Sequence, residues 1–170
     1  MSKENFFSKK SKGEVLIDLQ NLNLNFNIPK TTLIKVEDWK KKPEEEYLRI
    51  KKNFKSRVAI RSSSRNEDNQ NTSNAGKYSS FLNIKLKDKR LFFKYVDKVI
   101  LSYGKTAKLN DQIIIQEMVG NIYSSGVIFT RDLETGANYY VINYDDVTGK
   151  TNTVTSGQGD YSNRILHIHK

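Results

Sequence analysis

The chain contains no cysteine. Disulfides, thiolate metal sites and a cysteine nucleophile are thereby excluded. No apolar run approaches the roughly 20 residues needed to span a bilayer. The polar opening Met1-Ser2-Lys3-Glu4-Asn5 is not followed by a signal-type apolar stretch, so a cytoplasmic location without a membrane partner is expected. No internal repeat and no RNA-binding motif is evident. What is present is a chain of 170 residues, 36% hydrophobic and 28% charged. That suits a soluble domain of ordinary size with enough residues for a core.

The net charge of +10 is unevenly spread. Residues 1–60 hold 14 basic against 8 acidic side chains, residues 61–110 hold 11 against 4, and residues 111–170 hold 4 against 7. One reading is an anionic ligand, a nucleotide or a nucleic acid. The other is a solvated lysine-rich surface.

Residues 1–12 are polar and expected to be flexible. Gly13–Leu24 fits helix or strand, because its apolar residues follow neither period cleanly. Thr31–Val36 reads as a strand. Residues 37–54 read as helix, with Pro43 at a start or break and Glu44, Glu45 and Glu46 suited to a first turn. Val58–Arg61 is a short strand. Residues 62–76 carry almost no apolar side chain, and composition leaves open whether they are ordered. Leu91, Phe92, Tyr95, Val96, Val99, Ile100 and Tyr103 recur at helical spacing over 88–103, with Asp88 as N-cap and Gly104 as C′ residue. From Asp111 the pattern turns to strands: Gln112–Met118, Gly126–Thr130, Tyr139–Asn143, Thr151–Thr155 and Arg164–His169. A mixed part over 13–110 and a strand-rich part over 111–170 make an α+β class.

Three constellations carry chemistry. In the first, the strand Val58-Ala59-Ile60 ends in Arg61-Ser62-Ser63-Ser64, followed by Glu67-Asp68 and Ala75-Gly76. Arginine offers a planar fork of donors matched to phosphate oxygens, and hydroxyls and loop amides add neutral donors. An arginine buried against a carboxylate is the structural alternative. In the second, Gln116-Glu117-Met118-Val119 ends a strand whose backbone amides can meet an adenine edge, while Met118 and Val119 pack on its face. A plain core strand is the alternative. In the third, Ser125–Thr130 runs into Arg131-Asp132 and Glu134-Thr135-Gly136, which also reads as an ordinary hairpin turn.

Taken together and in this order, the three resemble the N-terminal ATP-binding domain of the phosphoenolpyruvate synthase and pyruvate phosphate dikinase family. The Arg-Ser-Ser, Glu-Asp and Ala-Gly pattern stands at Arg61–Ser63, Glu67-Asp68 and Ala75-Gly76, with Phe81-Leu82-Asn83 after it. The Gln-x-Met-Val motif stands at Gln116–Val119, and the Ser-Gly-Val-x-Phe-Thr-x-Asp-x-x-Thr-Gly run at Ser125–Gly136. The resemblance implies an ATP-grasp-like fold, a mixed sheet with flanking helices that is incomplete at the C-terminal end. It also implies ATP as ligand and Mg²⁺ as cofactor. Arg61 matches the arginine on the ATP phosphates, with Ser62 and Ser63 beside it and the loop ending at Gly76 closing over them. Ser80 falls where a threonine often stands near the phosphates. Gln116 and the Glu117–Met118 backbone match the adenine hinge. Lys12 matches the N-terminal phosphate lysine, although the glycines usual before it are missing.

There are departures too. The glutamate and Gln-x-Arg motif that hold Mg²⁺ and the triphosphate have no match here, so no metal ligand and no catalytic residue is assigned to this chain. The phosphohistidine and acceptor domains are expected as missing partners or on another chain. His167 and His169 alternate on a terminal strand and read as ordinary strand positions. The short segment between Trp39 and Val58, with Val141–Asp146 and Thr153–Gly157, looks like the glutamine-kinase branch. The expected function is the ATP-binding portion of a kinase whose phosphoryl group passes through a histidine on another domain, with no turnover by this chain alone. A truncated, inactive fragment and a basic nucleic-acid-binding module are the alternatives.

Overall fold

A computed structural model of the chain describes residues 10–64, 68–69, 72–73, 79–104, 108–150, 153–156 and 163–170. They form two compact units, one up to Met118 and one from Val119. The class is α+β, consistent with the expected ATP-grasp-like fold. Every strand pairing among the described residues is antiparallel, which corrects the expectation of a mixed sheet.

The first unit is built on a four-stranded sheet. Its strands are β1 (Thr31–Lys35), β2 (Arg57–Ser63), β5 (Ser80–Lys85) and β6 (Gln112–Glu117), in the order β1-β6-β2-β5. Two short strands, β3 (Asp68–Asn69) and β4 (Thr72–Ser73), pair with each other between β2 and β5. Helices α2 (Val36–Lys41), α3 (Pro43–Asn53) and α4 (Lys89–Ser102) supply the apolar partner of one sheet face. Ile34, Val58, Ile60, Ile84, Ile113 and Ile115 are almost wholly buried against Trp39, Tyr47, Ile50, Phe92, Val96 and Val99. The predicted helix over 37–54 is two helices, because Pro43 cannot donate to a preceding turn and instead opens α3 at its first position. Asp88 caps α4 by accepting the Leu91 amide at 2.9 Å, and Gly104 follows the helix at φ +61°.

Strand β5 escaped the sequence reading because its polar and apolar residues do not alternate cleanly. Between Phe81 and Ile84 its register against β2 shifts, two residues standing against Ala59 alone. Asn83 takes up the extra residue at φ 60°, a left-handed conformation that asparagine tolerates better than most side chains.

The second unit is a meander of β7 (Ser125–Phe129), β8 (Tyr139–Asp145) and β9 (Arg164–His169), with a helical turn α5 at Thr153–Ser156. That turn corrects the strand expected over Thr151–Thr155. The β-branched residues favour a strand locally, but Thr153 is buried in this turn. Gly126 is required by close packing: a Cβ there would lie 2.4 Å from the Asn143 carbonyl oxygen on β8.

Candidate functional site

The second face of the first sheet carries Arg61, Ser63, Ser80 and Gln116 of the residues expected at the site. Alternation along β2 sends Ala59, Arg61 and Ser63 to this face and Val58, Ile60 and Ser62 to the helices. Arg61 stands on an interior strand with Ile114 of β6 across from it on one side and Ser80 of β5 on the other. Both Arg61 and Ser80 are exposed. Among the described residues no carboxylate pairs with Arg61. Desolvation by the surrounding protein holds its pKa below the ordinary arginine value. The guanidinium is still a cation at neutral pH.

Helix α1 (Lys12–Gln20) reaches the same face. Gly13 has no Cβ, and one built there would meet Leu33 Cδ2 at 2.4 Å, Ser63 Oγ at 2.9 Å and Ile114 Cγ1 at 3.1 Å. The missing atom lets the helix lie directly on the sheet. Its amide donates to Ser63 Oγ at 2.9 Å. Ser11 caps the helix: its Oγ accepts the Glu14 amide at 3.2 Å, and Glu14 Oε2 accepts the Ser11 amide at 2.8 Å. Ser11 Oγ also donates to Gln112 Oε1 at 2.7 Å, which ties the helix start to β6. Lys12 is therefore fixed in backbone beside Ser63, with its side chain exposed. The capping pattern Ser11-x-x-Glu14 was the available sequence signal for this helix start, and it was missed, as were the roles of Gly13 and Gln112.

The serines do not all face outward. Ser62 and Ser63 are 8% and 1% exposed. Ser63 accepts from Gly13, and its own amide donates to the Tyr103 hydroxyl at 2.9 Å. Ser64 Oγ donates to Asp111 Oδ1 at 3.0 Å. Two of the three hydroxyls thus hold the end of β2 in place. At the other end of β6, Gln116 is buried and its Nε2 donates to Thr31 Oγ1 at 3.1 Å. The Glu117 amide donates to the Lys30 carbonyl at 2.8 Å, and the Met118 amide to the Arg57 carbonyl at 3.0 Å. The backbone donors expected to meet an adenine are already bonded within the sheet. Gly76, Glu67 and Ala75 lie outside the described residues, and Asp68 is described only in backbone, as part of β3.

In the second unit the Asp132–Gly136 segment is a turn of the hairpin type. Asp132 Oδ1 accepts the Thr135 amide and hydroxyl, both at 2.7 Å, and the Glu134 amide at 3.1 Å. These bonds, led by the Thr135 amide, hold the Asp132 carboxyl below the ordinary carboxylate range. His167 and His169 lie on β9, whose residues are all exposed, with ring centroids 6.3 and 5.1 Å from that of Tyr139.

Among the described residues no group of three or more His, Asp or Glu side chains is placed to hold a metal ion. No described helix is long and apolar enough to cross a membrane. Of the aromatic residues, Trp39, Tyr47, Phe54, Phe92 and Tyr103 are buried in the core and cannot stack on nucleic-acid bases. No curated protein matches the chain. A family model, the pyruvate phosphate dikinase AMP/ATP-binding domain, matches residues 19–158, a span that takes in Arg61, Ser80 and Gln116 and begins after Lys12. That match covers most of the 170 residues, and the chain belongs to the family of pyruvate phosphate dikinase AMP/ATP-binding domains.

Proposed function

We propose that this chain is the ATP-binding portion of a phosphotransferase of the phosphoenolpyruvate synthase and pyruvate phosphate dikinase type. The observation that carries this reading is Arg61, an exposed guanidinium on an interior strand with no carboxylate partner among the described residues. An arginine kept for structure is normally paired, whereas one kept for an anion has its fork open. Arg61 clamps the ATP phosphates, with Lys12 at the start of α1 and Ser80 across the strand beside it. Ser63, on the same face, and Ser62, on the helix side, hold the strand end beside the clamp, and Gly76, outside the described residues, is assigned to the phosphates by the family pattern alone. Gln116, Glu117 and Met118 back the adenine through carbonyl oxygens and the Met118 side chain, since their amides are engaged.

Phosphoryl transfer asks the protein for positioning and charge rather than covalent help. ATP supplies the phosphoryl group, which passes to a histidine carried by another domain and then to the acceptor, glutamine if the chain is of the glutamine-kinase branch. The compartment is the cytoplasm.

Calorimetric titration of ATP into the chain and into Arg61→Ala tests the assignment. Loss of charged hydrogen bonds worth about 1.5–3 kcal/mol weakens binding about 10- to 100-fold. Equal affinity in the two proteins overturns it.

A further inference from the structure

A second cluster of cations stands apart from Arg61. A cleft of about 390 Å³ in the first unit is lined by Lys55, Ser56, Arg57, Lys85, Leu86 and Lys87. Four of these six residues are basic and none is acidic. Leu86 is buried, while the four cations are exposed. The register of β2 against β5 places Arg57 directly opposite Lys85, an arrangement of like charges that weakens a sheet.

Several other cations of this unit have carboxylate partners. Lys41 pairs with Glu37, Lys42 with Glu45, Arg49 with Glu46 and Lys89 with Glu44. Among the described residues no carboxylate pairs with Lys55, Arg57, Lys85 or Lys87. Glu117 at the end of β6 bonds Ser56, whose Oγ donates to Glu117 Oε1 at 3.3 Å, and not the cations. Arg57 lies four residues before Arg61 on the same face of β2, a separation of about 13 Å along an extended strand. The two guanidinium groups can therefore serve different ligands.

We propose that the cleft between Lys55–Arg57 and Lys85–Lys87 is a second anion site that takes a compact polyanion of the pyrophosphate class. Such a ligand relieves the Arg57–Lys85 repulsion and brings several charge-assisted hydrogen bonds into one concave surface. The proposal does not depend on the nucleotide reading of Arg61.

Inorganic pyrophosphate titrated into the isotope-labelled full chain, followed by amide chemical shifts, tests it. Amides of residues 55–57 and 85–87 are expected to shift together along one saturating curve, and to do so equally in Arg61→Ala. The combined variant Lys55→Gln, Lys85→Gln, Lys87→Gln is expected to bind at least about tenfold more weakly at this cleft. All three substitutions are at exposed positions, so the variant keeps its core, as its spectrum checks. The proposal is overturned by shifts that never saturate, by shifts of equal size at the paired residues Lys41, Lys42 and Lys89, by unchanged affinity in the combined variant, or by binding that Arg61→Ala alone abolishes.

Discussion

At the scale of single residues, the face that holds Arg61 depends on a few atoms. Gly13 matters for the Cβ it lacks, and Ser63 for one buried hydroxyl that accepts a helix amide. Ser63→Ala leaves that amide without a partner, at a cost of about 1–3 kcal/mol. The first unit of this variant is expected to unfold at lower denaturant by that amount, while ATP affinity falls less than in Arg61→Ala. Gly13→Ala forces a methyl group into Leu33, Ser63 and Ile114 and is expected to lift α1 from the sheet. Loss of amide-exchange protection along Lys12–Gln20 in that variant is the measurement to make. Undiminished protection there would show that α1 is not seated through Gly13. Arg61 itself was legible in the sequence as a phosphate candidate. The burial of Ser62 and Ser63 was not, because residue type does not say which hydroxyl turns inward.

At the scale of elements, legibility followed periodicity. Helix α4 was clear because seven apolar residues fall on one helical face and Asp88 and Gly104 mark its ends. Helix α1 stayed ambiguous because Val15, Leu16, Ile17 and Leu19 go round the helix instead of forming a stripe. Strand β6 reads as a continuous apolar run because it is covered on both sides, by α2–α4 on one and by α1 through Ile114 on the other. That two-sided cover explains why it stands inside the first sheet although it opens the strand-rich half of the sequence. Strand β5 was lost to its irregular register at Asn83. The turn at Thr153 was misread because burial of that residue outweighs local propensity there.

At the scale of the whole molecule, the two units differ in what holds them. The first has a core of large apolar side chains, whereas the second leaves Ile128, Leu166 and Ile168 exposed and buries a carboxylate. Asp145 is 1% exposed and accepts the amides of Val147 and Thr148 at 2.8 and 2.9 Å. The Thr148 hydroxyl and these amides hold its pKa below the ordinary range. A carboxyl whose folded pKa lies below its unfolded value of about 3.9 contributes fully above that pH and loses its contribution as pH falls further. The second unit is therefore expected to weaken on acidification below about pH 4, more steeply than the first. Asp145→Asn is expected to lower its stability at neutral pH and to flatten that acid limb. Unfolding followed at β8 and β9 as a function of pH decides, and a variant with the acid limb of the parent protein contradicts the role given to Asp145.

The central question is whether ATP meets the second face of the first sheet. Amide shifts of the full chain on titration with ATP test this most directly. The prediction is saturable shifts centred on Arg61, Ser80 and the α1 start at Lys12 and Gly13, with a second group at Gln116–Met118, all diminished in Arg61→Ala. Shifts confined to the helical face of α3 and α4, or none at ATP concentrations that saturate related nucleotide sites, would contradict it.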